Sequence, residues 1–228
     1  MSTATPSYQP AEIAAEARSI LSCPAGASLV VQGVEDAIDD DLGLIDDNGT
    51  PVFLTLAGSL LESAALANSN ALLRVTSSLN AERAIVIAGQ LTTHHRDHGG
   101  RVVVELRVSM VSLVDGRDTP HPARHLHVSA DEFTRPEFRL NRGYLHRSLA
   151  HANDCHQDEL RSAVSMATGT RPHAIAGVRL FDLTADGVWL AWVDNTGAHQ
   201  RQVTFDRAAD SPEELAELLS RHLHAGLC

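Results

Sequence analysis

Two histidines, His151 and His156, lie five positions apart in the segment HANDCH, which opens an amphipathic stretch. Imidazole nitrogens are common metal ligands, and they gain or lose protons near neutral pH. On one straight helix, five positions rotate the second side chain about 140° from the first. We therefore expect that the two rings do not share one metal ion, unlike the histidines of an H-x-x-x-H zinc site.

Each of these histidines has two alternative roles. His156 is in line with Leu160 and Val164 on the apolar face of the expected helix, so it is either a ligand or a buried histidine bonded to backbone. His151 is expected just before that helix, with Asn153 as the N-cap. It is then either free to bind a ligand across a dimer interface or a capping or surface residue.

The chain has 13 histidines, and several others form groups. One group precedes two glycines and is expected in a loop between strands, either binding a metal or exposed to solvent. A second lies in a proline-rich stretch with several arginines. A third ends the chain, where one member completes an apolar helical stripe and the other is on the tail. These groups are His94, His95 and His98; His121, His125 and His127; and His222 and His224.

Composition excludes several kinds of chemistry. All 18 basic side chains are arginine, so neither a Schiff-base lysine nor a Walker-type phosphate loop is present. The net charge of -11 disfavours nucleic acid and anionic membrane surfaces as partners. Three scattered cysteines and an N-terminus without a secretory pattern favour a cytoplasmic protein with reduced thiols.

The first half of the chain has the pattern of an antiparallel barrel. Along 102–114, one set of alternate residues is apolar and is expected on one face of a strand, and the polar residues between them are expected on the other. The apolar set is Val102, Val104, Leu106, Val108 and Met110, and the polar set is Glu105, Arg107 and Ser109. Several strands accompanied by one or two short helices favour a barrel domain over residues 10–115. Expected strands are 28–33, 52–56, 71–76, 84–91 and 102–114, and expected helices are 10–22 and 59–68. Residues 116–142 are rich in loop-forming residues and are expected to be a linker.

The second half predicts a separate small module over residues 143–225. A mostly helical stretch at 144–168, with a possible break near Asn153, precedes strands at 174–182, 187–194 and 200–205. Ser211 and Pro212 then mark the start of a final helix. This α-β-β-β-α order predicts a small sheet covered on one side by helices, so the whole chain is assigned to the α+β class.

The segment His151-Ala-Asn-Asp-Cys-His156 resembles the H-x-N-x-x-H opening of the small module in HugZ-type proteins. The resemblance continues through Ala167-Thr168-Gly169 and the last strand and helix, and it covers about residues 10–224. In the first half, residues 50–91 resemble the FMN-binding-type split barrel of the pyridoxamine-phosphate-oxidase superfamily. One departure is Cys155, since the family usually has aspartate there, and any carboxylate–histidine pairing at that position is lost.

The resemblance implies a haem-binding homodimer that acts in haem homeostasis, with oxidative haem cleavage in some members and no need for flavin. In the family, haem is held either by the motif histidines, here His151 and His156, or by a histidine near the chain end, here His224. Arginine commonly pairs with haem propionates. The cofactor site is therefore assigned to His151, Asn153, His156 and Arg147, with His224 as a further candidate metal ligand.

Two other functions remain open at this stage. A flavin or deazaflavin oxidoreductase would use basic barrel residues to hold the phosphate, and only Arg74, Arg83, Arg101 and Arg107 occupy suitable positions. A regulatory dimer without a cofactor is the third alternative. The sequence also leaves open whether haem is cleaved, because cleavage needs an open sixth iron position.

Overall fold

A computed structural model describes residues 9–32, 43–96, 100–116 and 124–223 of the 228-residue chain. The chain divides into two compact units, Met1–Gly143 and Tyr144–Cys228. No helix within the described ranges is both long and apolar enough to cross a membrane.

The first unit is an antiparallel sheet with short helices. Its helices are α1 (Pro10–Ser22), α2 (Leu60–Leu66) and α3 (Ala130–Phe133). Its strands are β1 (Pro24–Val31), β2 (Leu44–Asp47), β3 (Thr50–Thr55), β4 (Asn70–Ser77), β5 (Arg83–Arg96), β6 (Val102–Asp115) and β7 (Arg124–Val128). The strand order is β1-β4-β5-β6-β3-β2, and β7 also pairs with β6.

Strand β6 is the branch point of this sheet. One of its edges pairs with β5 along almost its whole length. The other edge pairs with β3 at Val102–Glu105 and with β7 at Val111–Asp115. The sheet therefore divides along β6 and curls, which gives the expected split-barrel architecture.

The core of the first unit lies on one face of this sheet, beneath α1. Alternate residues such as Leu73 and Val75 in β4 and Ile85 and Ile87 in β5 are fully buried. Each buried side chain of this size contributes about 1.5–3 kcal/mol relative to an exposed one. The period of two along the strands therefore decides which residues face the core.

A buried arginine joins α1 to the rest of the first unit. Arg18 is 1% exposed, and its guanidinium donates to both carboxylate oxygens of Asp46 at 3.3 Å and to the Phe133 carbonyl at 3.2 Å. Asp46 also accepts from the Ser22 hydroxyl and the Gly49 amide. Burial lowers the pKa of Arg18 despite the opposing effect of Asp46. Removing one partner of such a buried pair is strongly destabilising.

The expectation of a linker over 116–142 is wrong for its described part. Residues 124–142 contain β7, α3 and a short 3-10 turn at Pro136–Phe138. Phe133 is fully buried in the core, and the division between the units follows Gly143. The sequence did not predict a strand in this stretch, because β7 has only one buried residue, Val128, and therefore no apolar pattern.

The second unit contains α4 (Arg142–Cys155), α5 (Gln157–Thr168), β8 (Ile175–Thr184), β9 (Gly187–Asp194), β10 (Gly197–Thr204) and α6 (Pro212–Leu223), with the first residues of α4 belonging to the first unit. Its three strands form an antiparallel sheet in the order β10-β9-β8. Leu160 and Val164 of α5 and Leu215 and Leu218 of α6 are buried. The expected α+β class, with an antiparallel split barrel and a small α/β module, is confirmed.

Candidate functional site

The helical stretch of the second unit breaks at His156. Helix α4 ends at Cys155, α5 starts at Gln157, and His156 between them has φ -119° and ψ 35°. Backbone hydrogen bonds still cross the break, from the His156 amide to the Ala152 carbonyl and from the Leu160 amide to the His156 carbonyl. The break therefore interrupts the helical backbone geometry at one residue, and the hydrogen bonding continues across it.

This break brings the two motif histidines together. The Nε2 atoms of His151 and His156 are 3.4 Å apart, and the ring centroids are 5.1 Å apart at an interplanar angle of 78°. The expectation that the rings cannot share a metal ion assumed one straight helix, and that assumption is wrong. The non-helical backbone of His156 therefore accompanies a ring position beside that of His151.

The expected N-cap role of Asn153 is also wrong. Both His151 and Asn153 lie inside α4, and the Asn153 side chain bonds to β8. Its amide nitrogen donates to the Leu180 carbonyl at 2.9 Å, and its oxygen accepts from the Leu180 amide at 2.8 Å. Asn153 therefore fixes the position of α4 on the sheet and so positions the histidine pair.

The two histidines differ in exposure. His156 is buried, and its Nδ1 has no hydrogen-bond partner among the described residues, although the Glu159 carboxylate is 3.8 Å away. The described residues therefore do not support the alternative in which the His156 ring is hydrogen-bonded to the backbone. His151 is exposed, so its ring has room to change rotamer.

A cleft of about 300 Å³ opens beside the pair, entirely within the second unit. Its walls come largely from α4 and α6, and both His151 and His156 line it. The lining residues are Tyr144, Arg147, Ser148, His151, Ala152, His156, Leu215, Ala216 and Leu219. The Arg147 guanidinium lies 5.7 Å from the Tyr144 ring centroid. The cleft thus offers two imidazoles, one cation and an apolar wall.

Sequence patterns alone did not identify Tyr144 or the α6 wall. Tyr144, Ser148 and His151 follow a spacing of four and three residues, which places them on one helical face. That spacing was a usable signal for Tyr144. Leu215 and Leu219 belong to the apolar stripe of α6, and such a stripe does not say which partner covers it.

The other described histidines are dispersed. His94 and His95 lie in β5 rather than in the expected loop, since the pairing of β5 with β6 continues through them. The Nδ1 atom of His94 is 3.5 Å from Glu105, and that of His125, in β7, is 3.3 Å from the Ser112 hydroxyl. His127 is exposed in the same strand as His125. His98, His121 and His224 lie outside the described residues.

His222 packs near the end of α6, as its place in the apolar stripe predicts. Its ring is 5.6 Å from that of Phe205, and its Nε2 is 3.4 Å from an Asp206 carboxylate oxygen. The hydrogen bond from His222 lowers the pKa of Asp206. This histidine therefore has a structural partner on each side.

Arg83, one of the four barrel arginines considered for a flavin phosphate, is paired with carboxylates. Arg83 is 3% exposed and lies 3.2 Å from the Asp115 carboxylate and 3.3 Å from the Glu16 carboxylate. Arg74, Arg101 and Arg107 are exposed on the first unit. The charge of Arg83 is therefore balanced by two carboxylates of the first unit.

The fold places the chain among α+β proteins built on an antiparallel split barrel. No family model matches the chain, and no curated protein matches it. Similar solved structures include a haem-binding protein from Mycobacterium smegmatis, with 16% identity, coverage of 97% of this chain and 98% of the other, and a TM-score of 0.46.

Two further solved structures are similar. One is a protein of unknown function from Agrobacterium tumefaciens that is 12% identical to this chain. The match covers 97% of this chain and 98% of that protein, with a TM-score of 0.43. The other is an FAD-binding protein from Mycobacterium smegmatis that is 18% identical. The match covers 42% of this chain and 90% of that protein, with a TM-score of 0.35. These similarities concern the fold alone.

Proposed function

We propose that this chain is a haem-binding protein of the HugZ type that acts in haem homeostasis. The observation that carries the proposal is the α4–α6 cleft, where two imidazoles, an arginine and apolar side chains meet. A haem site needs an axial ligand in an apolar setting, and histidine is a usual ligand. The bound iron would supply oxygen-binding and one-electron chemistry.

His151 is the proposed axial ligand. Haem held by one Nε2 would not leave room for the other imidazole at its present distance of 3.4 Å. One ring has to turn aside. His151 is exposed and has room to turn, whereas His156 is buried between α4 and α5.

The remaining cleft residues fit the other parts of haem. Arg147 is placed to pair with a propionate through a charge-assisted hydrogen bond. Leu215, Leu219 and Ala152 offer apolar contact to the macrocycle. A volume of about 300 Å³ is at the small end of the range for ligand pockets, so the cleft would cover only part of a porphyrin.

A homodimer, a cytoplasmic location and oxidative haem cleavage belong to the same proposal. The acidic net charge of -11 is consistent with a function that involves neither nucleic acid nor an anionic membrane. Oxidative cleavage requires that His156 leave the sixth iron position open. Loss of the Soret band on adding ascorbate and oxygen would support cleavage, and a persistent band would count against it.

A hemin titration of variants tests the proposed ligand. His151→Ala should weaken hemin affinity at least tenfold, which corresponds to about 1.4 kcal/mol, because the iron loses its axial nitrogen. His146→Ala is the control, since this exposed histidine is also on α4 but does not line the cleft. Equal affinity in wild type and His151→Ala would contradict the assignment, and a yellow protein as purified would favour flavin.

A further inference from the structure

We infer that the same cleft is also a site for a bare divalent transition-metal ion, chelated by the Nε2 atoms of His151 and His156. This site is distinct in chemistry from haem binding, because both imidazoles would act on one ion at once. The inference depends on the apposition of the two rings at the α4–α5 break.

The distance between the two nitrogens matches tetrahedral ligation. Zinc binds imidazole nitrogen at about 2.0–2.1 Å, so two ligands at a tetrahedral angle lie about 3.4 Å apart. The Nε2 atoms of His151 and His156 are 3.4 Å apart. A square-planar ion would bring neighbouring ligands to about 2.9 Å, so the spacing favours Zn²⁺ or Co²⁺ over Cu²⁺.

The buried ring also has a partner suited to a metal ligand. A ligating histidine usually donates its second ring N–H to a carboxylate or carbonyl group, which fixes the tautomer with a free Nε2 lone pair. The Nδ1 atom of His156 is 3.8 Å from the Glu159 carboxylate, one helical turn further along. A small rotation of Glu159, which is partly exposed, would complete this hydrogen bond.

Water or an exogenous ligand would complete the coordination. Within the described ranges, no third His, Cys, Asp or Glu joins the pair to form a larger metal-binding group. His151 is exposed, so solvent reaches that side of the pair. Two protein ligands with open positions resemble an exchangeable site more than a closed structural zinc site, which has four.

The ion and haem would exclude each other. The ion requires both rings to stay together, whereas haem on His151 requires one ring to turn aside. This mutual exclusion rests on the proposed function, and the metal site itself does not. Zn²⁺ would therefore lower the apparent hemin affinity of the wild-type chain by competing for the same imidazole.

The test uses Zn²⁺ calorimetry and the visible spectrum of Co²⁺ on the full chain. Wild type should bind one equivalent of Zn²⁺ most tightly, and Co²⁺ should give the intense visible bands of a tetrahedral site. His151→Ala and His156→Ala should each weaken that binding at least tenfold. Glu159→Gln should weaken it less, and the exposed controls His146→Ala and His173→Ala should leave it within twofold.

Unchanged Zn²⁺ binding in His151→Ala would overturn the inference, because the ion would then lie on other histidines. His151 is exposed, so this variant keeps the test valid even if His156→Ala does not fold, which circular dichroism would show. If Zn²⁺ binding depends on both histidines but hemin does not bind, the proposed function is contradicted and the metal site stands. If hemin binds but Zn²⁺ does not, the metal site is contradicted and the proposed function stands.

Discussion

Local hydrogen bonds at the turn between β9 and β10 favour the ionised form of the Asp194 carboxylate. The Asp194 carboxylate accepts from the Thr196 hydroxyl at 2.6 Å, from the Thr196 amide at 2.8 Å, and lies 3.1 Å from His199 Nε2. The Thr196 bonds, with a smaller contribution from His199, hold the pKa of Asp194 far below its usual range. The ionised carboxylate therefore stabilises this turn.

Replacing Asp194 with Asn should destabilise the second unit in a pH-dependent way. A carboxylate with a lowered folded pKa stabilises the fold above its unfolded pKa of about 3.9, and this contribution is lost as pH falls towards the folded pKa. The difference in urea midpoint between wild type and variant should therefore shrink from pH 7 to pH 3. Fluorescence is a suitable measurement, because the only two tryptophans, Trp189 and Trp192, lie in β9.

The control for this prediction is Asp186→Asn, at the exposed turn between β8 and β9, where no comparable set of hydrogen bonds to the carboxylate is described. Its difference from wild type should be small and should change little with pH. An Asp194→Asn difference that stays constant between pH 7 and pH 3 would contradict the assigned role of the ionised carboxylate.

At this scale, the sequence identified the relevant histidines but not their geometry. Residue type and the HANDCH spacing singled out His151 and His156. Their apposition depends on a helix break at His156, three residues beyond the break considered near Asn153. The local sequence has no proline or glycine to fix the position of that break. Asn153 was expected as a cap, because its partner in β8 is distant in sequence.

Among the elements, β5 and β6 pair with a shift in register at Gly89. Ala88 pairs with Met110 and Gly89 with Val108, so Ser109 is an extra residue on β6. A β-carbon at Gly89 would lie 2.2 Å from the Arg107 carbonyl oxygen. Only glycine allows the two backbones to approach this closely, and such bulges are typical of bent strands.

Gly89→Ala should lower the free energy of unfolding of the first unit by about 1–3 kcal/mol, because the new methyl group forces the strands apart. Gly26→Ala in β1 is the matched control, since its nearest neighbour would be the Thr76 hydroxyl at an ordinary 3.4 Å. Urea unfolding followed by far-UV circular dichroism measures both. Equal stability of the two variants would show that the close approach at Gly89 is unimportant.

Element prediction succeeded where an apolar period was strong. The alternation in 102–114 predicted β6 almost to its observed ends, Val102 and Asp115. Prediction failed for β7, because one buried residue in five gives no apolar period. It also failed for the end of β5, because the histidines that continue this strand have exposed side chains. Strand pairing decides these cases, and pairing is a long-range property.

At the scale of the whole molecule, the first unit carries an apolar row on the outer face of its sheet. Val30 pairs with Leu72, Leu72 with Ala88, and Ala88 with Met110, so these residues line up across four strands. Val30 and Leu72 are each 47% exposed and Met110 is 41% exposed. This row is the candidate interface for the proposed homodimer.

Light scattering coupled to size exclusion should give the mass of a dimer for the wild-type chain. Leu72→Glu should shift it to the monomer mass, because a charge would be buried at the centre of the interface. Leu66→Glu is the control, since Leu66 is equally apolar and 66% exposed but lies on α2. A dimer that survives Leu72→Glu would place the interface elsewhere.

A crystal structure of the chain with hemin tests the central claim most directly. We predict a porphyrin seated against α4 and α6, with its iron bonded to Nε2 of His151, a propionate near Arg147, and His151 turned away from its present contact with His156. A crystal soaked in hemin that contains no porphyrin, or one with the ring far from both motif histidines, would contradict the account and leave only the fold.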